Sequence, residues 1–270
     1  MDVLEAIVLG IIQGATEFLP ISSSGHLLLI PSLFNLSEPS LNGIAIAHLG
    51  TLMAVLIFFR TDLWAIIRAV LEGMRKRDLL FSVDARLGWY IAVGSIPAVV
   101  FGLLFSDSLN RIFENPTTAA FLLIGTGIIL IIGEQLVTGD KPIAKMTWTD
   151  AVTIGFAQVL ALLPGISRSG VTITAGLGRH LDRSTAARYS FLLGVPAIAG
   201  AGLLAVLDIS QSGATTDQAM ELIITFAAAA VVGYACIHFL MNWLRTRSLY
   251  LFAAYCITFG FLYLLISWLR

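Results

Sequence analysis

The chain has 270 residues, of which 57% are hydrophobic and only 12% charged, with a net charge of −1. Soluble domains carry about 25% charged residues, so this composition lacks the polar surface that would cover a water-soluble body and predicts a protein crossing the bilayer several times. No basic face is available to meet phosphates in water, which excludes nucleic-acid binding.

In chain order, the opening MDVLEAIVLG holds two acids and no basic segment, and is not expected to be a cleavable signal peptide. The first apolar region, 3–34, is broken by TEFLPISSSGH, leaving arms shorter than the roughly 20 residues a membrane crossing needs. Proline and glycine beside clustered serines predict a re-entrant hairpin, because irregular backbone at membrane depth survives only where protein or a watery cavity satisfies it. Spanning helices are predicted at about 43–60, 87–106 and 117–137, with a basic loop over 60–86 holding six of the sixteen Lys and Arg. Region 150–178, broken by LLPGISRSG, predicts a second re-entrant hairpin, and spans follow at about 186–207, 219–243 and 249–269. Cys236 and Cys256 sit in apolar runs and read as small buried hydrophobes.

The two broken regions resemble each other. A shift of 145 aligns Ala6 with Ala151, Gly10 with Gly155 and Gln13 with Gln158, and then Ser22, Ser24 and Gly25 with Ser167, Ser169 and Gly170. Each copy precedes three spans, giving two repeats, about 1–138 and 146–270, in one transmembrane domain. An odd number of crossings inverts the second repeat relative to the first. The expected fold is therefore all-α and polytopic, with six transmembrane helices and two re-entrant helical hairpins in two inverted-topology repeats. Placing 60–86 in the cytoplasm puts thirteen of the sixteen basic residues inside, as the positive-inside rule requires. Both termini are then external, and the hairpin tips meet near mid-membrane, where inverted repeats with broken helices build their sites.

Those tips concentrate chemistry. Gln13 and Glu17 are four apart on one helix face. Ser22, Ser23, Ser24 and His26 follow in the first break, and Ser167, Arg168, Ser169 and Thr172 lie in the second. Serines before an apolar helical run are good caps, and a helix N-terminus offers unpaired N–H groups that suit phosphate. Arginine adds a fork that remains charged when desolvated. The bland alternatives are serines that only cap and a Glu17–Arg168 pair that is only structural. His48, alone in an apolar span, is expected to bond between helices rather than act as a ligand. Gly10 and Gly14 are expected to let helices pack closely.

The stretches QGATEFLPISSSGH and LLPGISRSGVT resemble the two signature motifs of the undecaprenyl pyrophosphate phosphatase, or bacitracin-resistance, family, along essentially the whole chain. The resemblance implies hydrolysis of undecaprenyl diphosphate to the monophosphate carrier lipid of cell-wall synthesis, by an enzyme of the bacterial inner membrane reached from the periplasmic side. It also implies a divalent cation, Mg²⁺ with Ca²⁺ as the alternative. The site carried over is Glu17, Ser23, His26 and Arg168 as catalytic residues, Glu17 as the metal ligand, and Gln13, Ser22, Ser24, Ser167, Ser169 and Thr172 around the substrate. The family's leading acidic position is Gln13 here, which can hydrogen-bond but adds no charge to a metal. The expected partners are the polyprenyl diphosphate and membrane lipid, with a homodimer as the assembly considered. The nucleophile stays open between Ser23 with His26 as its base, His26 itself, and a water activated by His26. A lipid-phosphate transporter or flippase is the competing class, since it would use the same anion ligands without needing a clustered Ser, His and Glu.

Overall fold

The computed structural model describes the backbone of residues 3–34, 36, 39–113, 115–212 and 216–270, and the side chains of these except 110, 113, 201 and 203–218. Twelve α-helices account for most of it: α1 (Val3–Phe18), α2 (Ser23–Phe34), α3 (Leu41–Phe58), α4 (Arg60–Lys76), α5 (Val83–Leu104), α6 (Ser106–Phe113), α7 (Pro116–Gln135), α8 (Trp148–Leu160), α9 (Arg168–Gly178), α10 (Arg183–Ser212), α11 (Thr216–Trp243) and α12 (Tyr250–Leu269). No strand occurs among the described residues.

The starts are written in the sequence as caps. Ser40 and Ser82 accept from the N–H groups of Gly43 and Ala85 at the heads of α3 and α5. Asn115 caps α7 ahead of Pro116, whose missing N–H costs nothing at the first helical position. Thr147 and Asp150 form a reciprocal capping box on α8.

Among the described residues, five helices are long and apolar enough to cross a membrane: Leu41–Phe58, Val83–Leu104, Pro116–Gln135, Ala219–Trp243 and Tyr250–Leu269. Large apolar side chains face outward along them, such as Val99, Ile128, Val231 and Leu265, and lipid accepts such a surface where water does not. The chain is thus a multi-pass membrane protein. The sixth expected span falls in α10, which is continuous over 30 residues and runs on through 208–212, the first part of the expected connection; the side chains of 201 and 203–218 lie outside the described ones.

The basic loop expected over 60–86 is a correction. Most of it is α4, a 17-residue helix. Its inward stripe is Ile66, Ala69 and Gly73, with Leu63 and Val70 half-buried against the core, while Arg68, Arg75 and Lys76 are exposed. The ends of α7 and α9 and the starts of α4, α8 and α10 are tied together by buried or half-buried ion pairs. Arg183 forks onto Glu134, which also accepts from Leu249 N–H. Arg188 forks onto Asp62, and Lys141 and Arg179 both reach Asp150. Burial opposes ionisation of Asp150, but hydrogen bonds from Lys141, the Thr147 backbone and Arg179 outweigh it and hold the carboxyl below its ordinary range.

Two broken helix pairs, α1–α2 and α8–α9, lie within this frame. Their second helices start 145 residues apart, Ser23 against Arg168. Their packing also corresponds, with α1 against α11 and α8 against α5. Glycine permits both approaches. A methyl at Gly10 would strike Thr225 O and Ala228, one at Gly14 would strike Ala229 O and the Gly233 backbone, and one at Gly155 would strike Gly94. The first two are the close packing expected of that glycine pair.

Candidate active site

The two breaks meet. A Cβ on Gly25 would lie 3.1 Å from Gly165 Cα, and Gly165 N–H donates to Ser24 Oγ at 3.4 Å. Gly165 turns with φ +93°, a conformation open to glycine, and its carbonyl is fixed by Thr126 Oγ1 at 2.8 Å. Ser22 also takes the left-handed region, at φ 70°, which is unusual for a residue with a side chain. Two helix N-termini, those of α2 and α9, are thereby brought together beneath one junction.

The consecutive serines divide the work. Ser22 caps α2 by accepting from Gly25 N–H at 3.3 Å, and its repeat counterpart Ser167 caps α9 by accepting from Gly170 N–H at 3.1 Å. Ser23, freed from capping, donates to Glu17 Oε2 at 2.7 Å. Arg168, the first residue of α9, donates from Nη2 to Glu17 Oε1 at 2.9 Å and from Nη1 to Ser190 O at 3.2 Å. Gln13 Nε2 donates to Glu17 Oε2 at 3.0 Å. One buried carboxylate is therefore gripped by residues of both breaks, and the lower dielectric there strengthens each contact. Arg168 is held flat against α10 at Gly194, where any added methyl would overlap its guanidinium.

The other expected residues are close by but differently engaged. His26 is buried and stacks on Tyr255 and Phe259. Its Nδ1 lies 2.8 Å from Ser22 O and its Nε2 lies 2.7 Å from Tyr255 Oη. Both nitrogens are occupied, and neither meets Ser23. Ser167 and Ser169 bond each other at 3.1 Å, and Ser169 also donates to Leu19 O, stitching the second tip to the first. Thr172 donates to Arg168 O at 2.7 Å and pairs with Ser190 Oγ at 2.6 Å, which locks the start of α9 to α10.

Three participants escaped the sequence reading, Thr126, Ser190 and Tyr255, while His48, expected to bond between helices, bonds within its own through Nδ1 to Ile44 O at 2.9 Å. The His48 Nε2 lies 3.8 Å from Glu17 Oε2. A lone ring in an apolar span was the only signal available for it. For a divalent cation, the fit is set by oxygen and nitrogen donors around Glu17. Among the described residues no three His, Cys, Asp or Glu side chains converge, so Glu17 needs neutral neighbours. Gln13 supplies one: its side chain is fully buried and its Oε1 has no hydrogen-bond partner.

The model of the family described as "Bacitracin resistance protein BacA" matches residues 6–262. A protein named undecaprenyl-diphosphatase from Chlorobaculum tepidum is 43% identical over 268 residues, covering 96% of this chain and 95% of its own. Its namesake in Chloroherpeton thalassium is 44% identical with the same coverage. One from Nocardioides is 41% identical over 260 residues, covering 96% of this chain and 94% of its own.

Proposed function

The chain belongs to the BacA bacitracin-resistance family, and from that premise we propose how it acts. It is a membrane phosphatase converting undecaprenyl diphosphate to the monophosphate, a hydrolase that recycles the carrier lipid of the cell wall. The observation that carries the mechanism is the single carboxylate, Glu17, clamped between Ser23 and Arg168 where two helix N-termini meet.

The diphosphate sits at this junction, with Arg168 and the N–H groups at the starts of α2 and α9 stabilising the charge that moves onto the leaving monophosphate. Ser23 Oγ attacks the terminal phosphorus, its proton passes to Glu17 Oε2, and the bond to the bridging oxygen breaks. Water then releases phosphate from the phosphoserine. Glu17 takes the base role expected of His26, because Ser23 already donates to it while both His26 nitrogens are engaged elsewhere. His26 acts as a positioning residue, holding the Ser22 carbonyl and hence the strained tip. Glu17, Gln13 and Ser23 are the residues that would hold the divalent cation, Mg²⁺ or Ca²⁺, which when bound supplies Lewis-acid charge to the phosphates. Ser22, Ser24, Ser167, Ser169 and Thr172 shape the cradle.

The apolar tail needs lipid or an apolar channel. A cavity of about 180 Å³ opens between α1 and α2, lined by Leu4, Val8, Ile12, Leu27, Ile30 and Pro31, and would seat its first isoprene units. In the membrane, α1–α2 and α8–α9 are re-entrant hairpins of two inverted repeats, about 1–138 and 146–270, in one domain, and α10 is the sixth span. At ~1.5 Å per residue, the 13 residues of α8 reach about two-thirds of the hydrocarbon thickness. Both termini face the periplasm in this arrangement, the protein lies in the inner membrane, and pairing into a homodimer is open to it.

A carrier for lipid phosphates is not favoured, since transport gives no use for a serine hydroxyl aimed at a carboxylate. The test is phosphate release from undecaprenyl diphosphate by purified protein in detergent, with and without chelator. Release that stops with chelator and returns with Mg²⁺ is expected. Stoichiometric binding without release would overturn the enzymatic reading.

A further inference from the structure

A carboxylate has two oxygens, and those of Glu17 have different surroundings. Oε1 meets Arg168. Oε2 meets Gln13, Ser23 and, at 3.8 Å, His48 Nε2. The tautomer of His48 follows from its other nitrogen. Nδ1 lies 2.9 Å from Ile44 O, and a carbonyl can only accept, so Nδ1 carries a proton. In the neutral ring Nε2 is then a bare lone pair aimed at a carboxylate oxygen, which is repulsive unless something positive lies between them.

Gln13 points the same way. Its Oε1 is buried without a partner, which is costly for a carbonyl oxygen. Turned over, the amide would present its oxygen to Glu17 Oε2, and a cation between the two would replace the hydrogen bond that Nε2 now makes. Oxygen and nitrogen positions of an amide are fixed by their partners alone.

Resting on the proposed function, we propose that His48 Nε2 is a direct ligand of this chain's divalent cation, together with Glu17 Oε2, Gln13 Oε1 and Ser23 Oγ. A neutral nitrogen takes the place that a second carboxylate would otherwise fill. The Nδ1–H bond to Ile44 O sets the ring in the ligating tautomer, as outer partners do for metal-bound histidine. Imidazole is a better ligand for first-row transition ions than for Mg²⁺ or Ca²⁺. His48 therefore widens this chain's preference for Mn²⁺ over Mg²⁺ beyond what its oxygen ligands give.

The experiment titrates the purified full-length protein in detergent with Mn²⁺, without lipid substrate, and follows bound Mn²⁺ by electron paramagnetic resonance with ¹⁵N-labelled histidine. One bound ion with a coupled histidine nitrogen is expected in the parent. His48→Gln, which keeps an amide oxygen at a similar reach, should lose the coupling and about tenfold or more of the Mn²⁺ affinity. Its Mg²⁺ affinity, measured by competition, should change far less. Bound Mn²⁺ without a histidine coupling, equal Mn²⁺ affinity in His48→Gln, or no bound Mn²⁺ in the parent would each overturn the inference. Phosphate release measured on the same parent sample separates the two readings: turnover without a histidine ligand removes only this one, and absent turnover removes the proposed function.

Discussion

The two broken helix pairs share a backbone plan and divide the chemistry unequally. Both second helices start at equivalent positions and are capped by equivalent serines, Ser22 and Ser167. The residues that follow, Ser23 and Arg168, are also equivalent, and they reach opposite oxygens of the same carboxylate. Only the first pair carries that carboxylate, since the counterpart of Glu17 is Leu162 and that of His26 is Val171. Two corresponding helix N-termini face one place, and in the proposed mechanism a few single-residue differences make one of them an anion clamp and the other a reacting group.

Removing the shared carboxylate should break the comparison most severely. Glu17→Gln leaves Ser23 without a proton acceptor and Arg168 without its buried partner. Loss of a positioned proton acceptor costs roughly 10²–10⁴ in rate, so phosphate release should fall by at least a hundredfold. Breaking a buried pair costs about 3–5 kcal/mol, so thermal unfolding in detergent should be measured alongside. Full turnover by a folded Glu17→Gln protein would make the carboxylate purely structural.

Changes at the two equivalent positions come next. Ser23→Ala should lose more than nine-tenths of turnover, and the parent, quenched in acid, should yield a phosphoenzyme that survives. An acid-labile phosphoenzyme would transfer the nucleophile's role to His26. Arg168→Lys retains the charge but loses the fork that spans Glu17 and Ser190 O. Charge-assisted hydrogen bonds are worth about 1.5–3 kcal/mol, so turnover should fall about tenfold or somewhat more. Near-parental activity in the lysine variant would reduce Arg168 to a point charge.

The sequence made the breaks legible because proline, glycine and clustered serine are local signals. The helices α3, α5, α7, α11 and α12 begin or end within a few residues of the expected spans for the same reason. The fold beyond local reach was not legible. Glu17 and Arg168 are 151 residues apart and His26 and Tyr255 are 229 apart, and only the packing of whole helices brings them together. The approach of His48 to Glu17 was not legible, because an apolar span conceals which of its faces turns inward. The helix α4 was hidden by its own charges, which fit a topology loop equally well until its apolar stripe is followed.

The smallest expected effect sharpens the comparison most, because it concerns a residue that both pairs share. Gln13 and Gln158 are repeat counterparts and both are buried. Gln13 donates to Glu17, whereas neither amide atom of Gln158 has a hydrogen-bond partner. The difference follows from the position four residues on, which is Glu17 in one case and Leu162 in the other. A buried polar group left unsatisfied costs about 1–3 kcal/mol, and leucine has nearly the volume of glutamine. Gln158→Leu should therefore leave phosphate release within about twofold of the parent and raise stability in detergent by about 1–3 kcal/mol. Gln13→Leu should lose activity, because it removes the amide that meets Glu17 Oε2. If Gln158→Leu instead impairs turnover as Gln13→Leu does, the second pair holds a binding group of its own, and the division of labour between the two breaks would have to be redrawn.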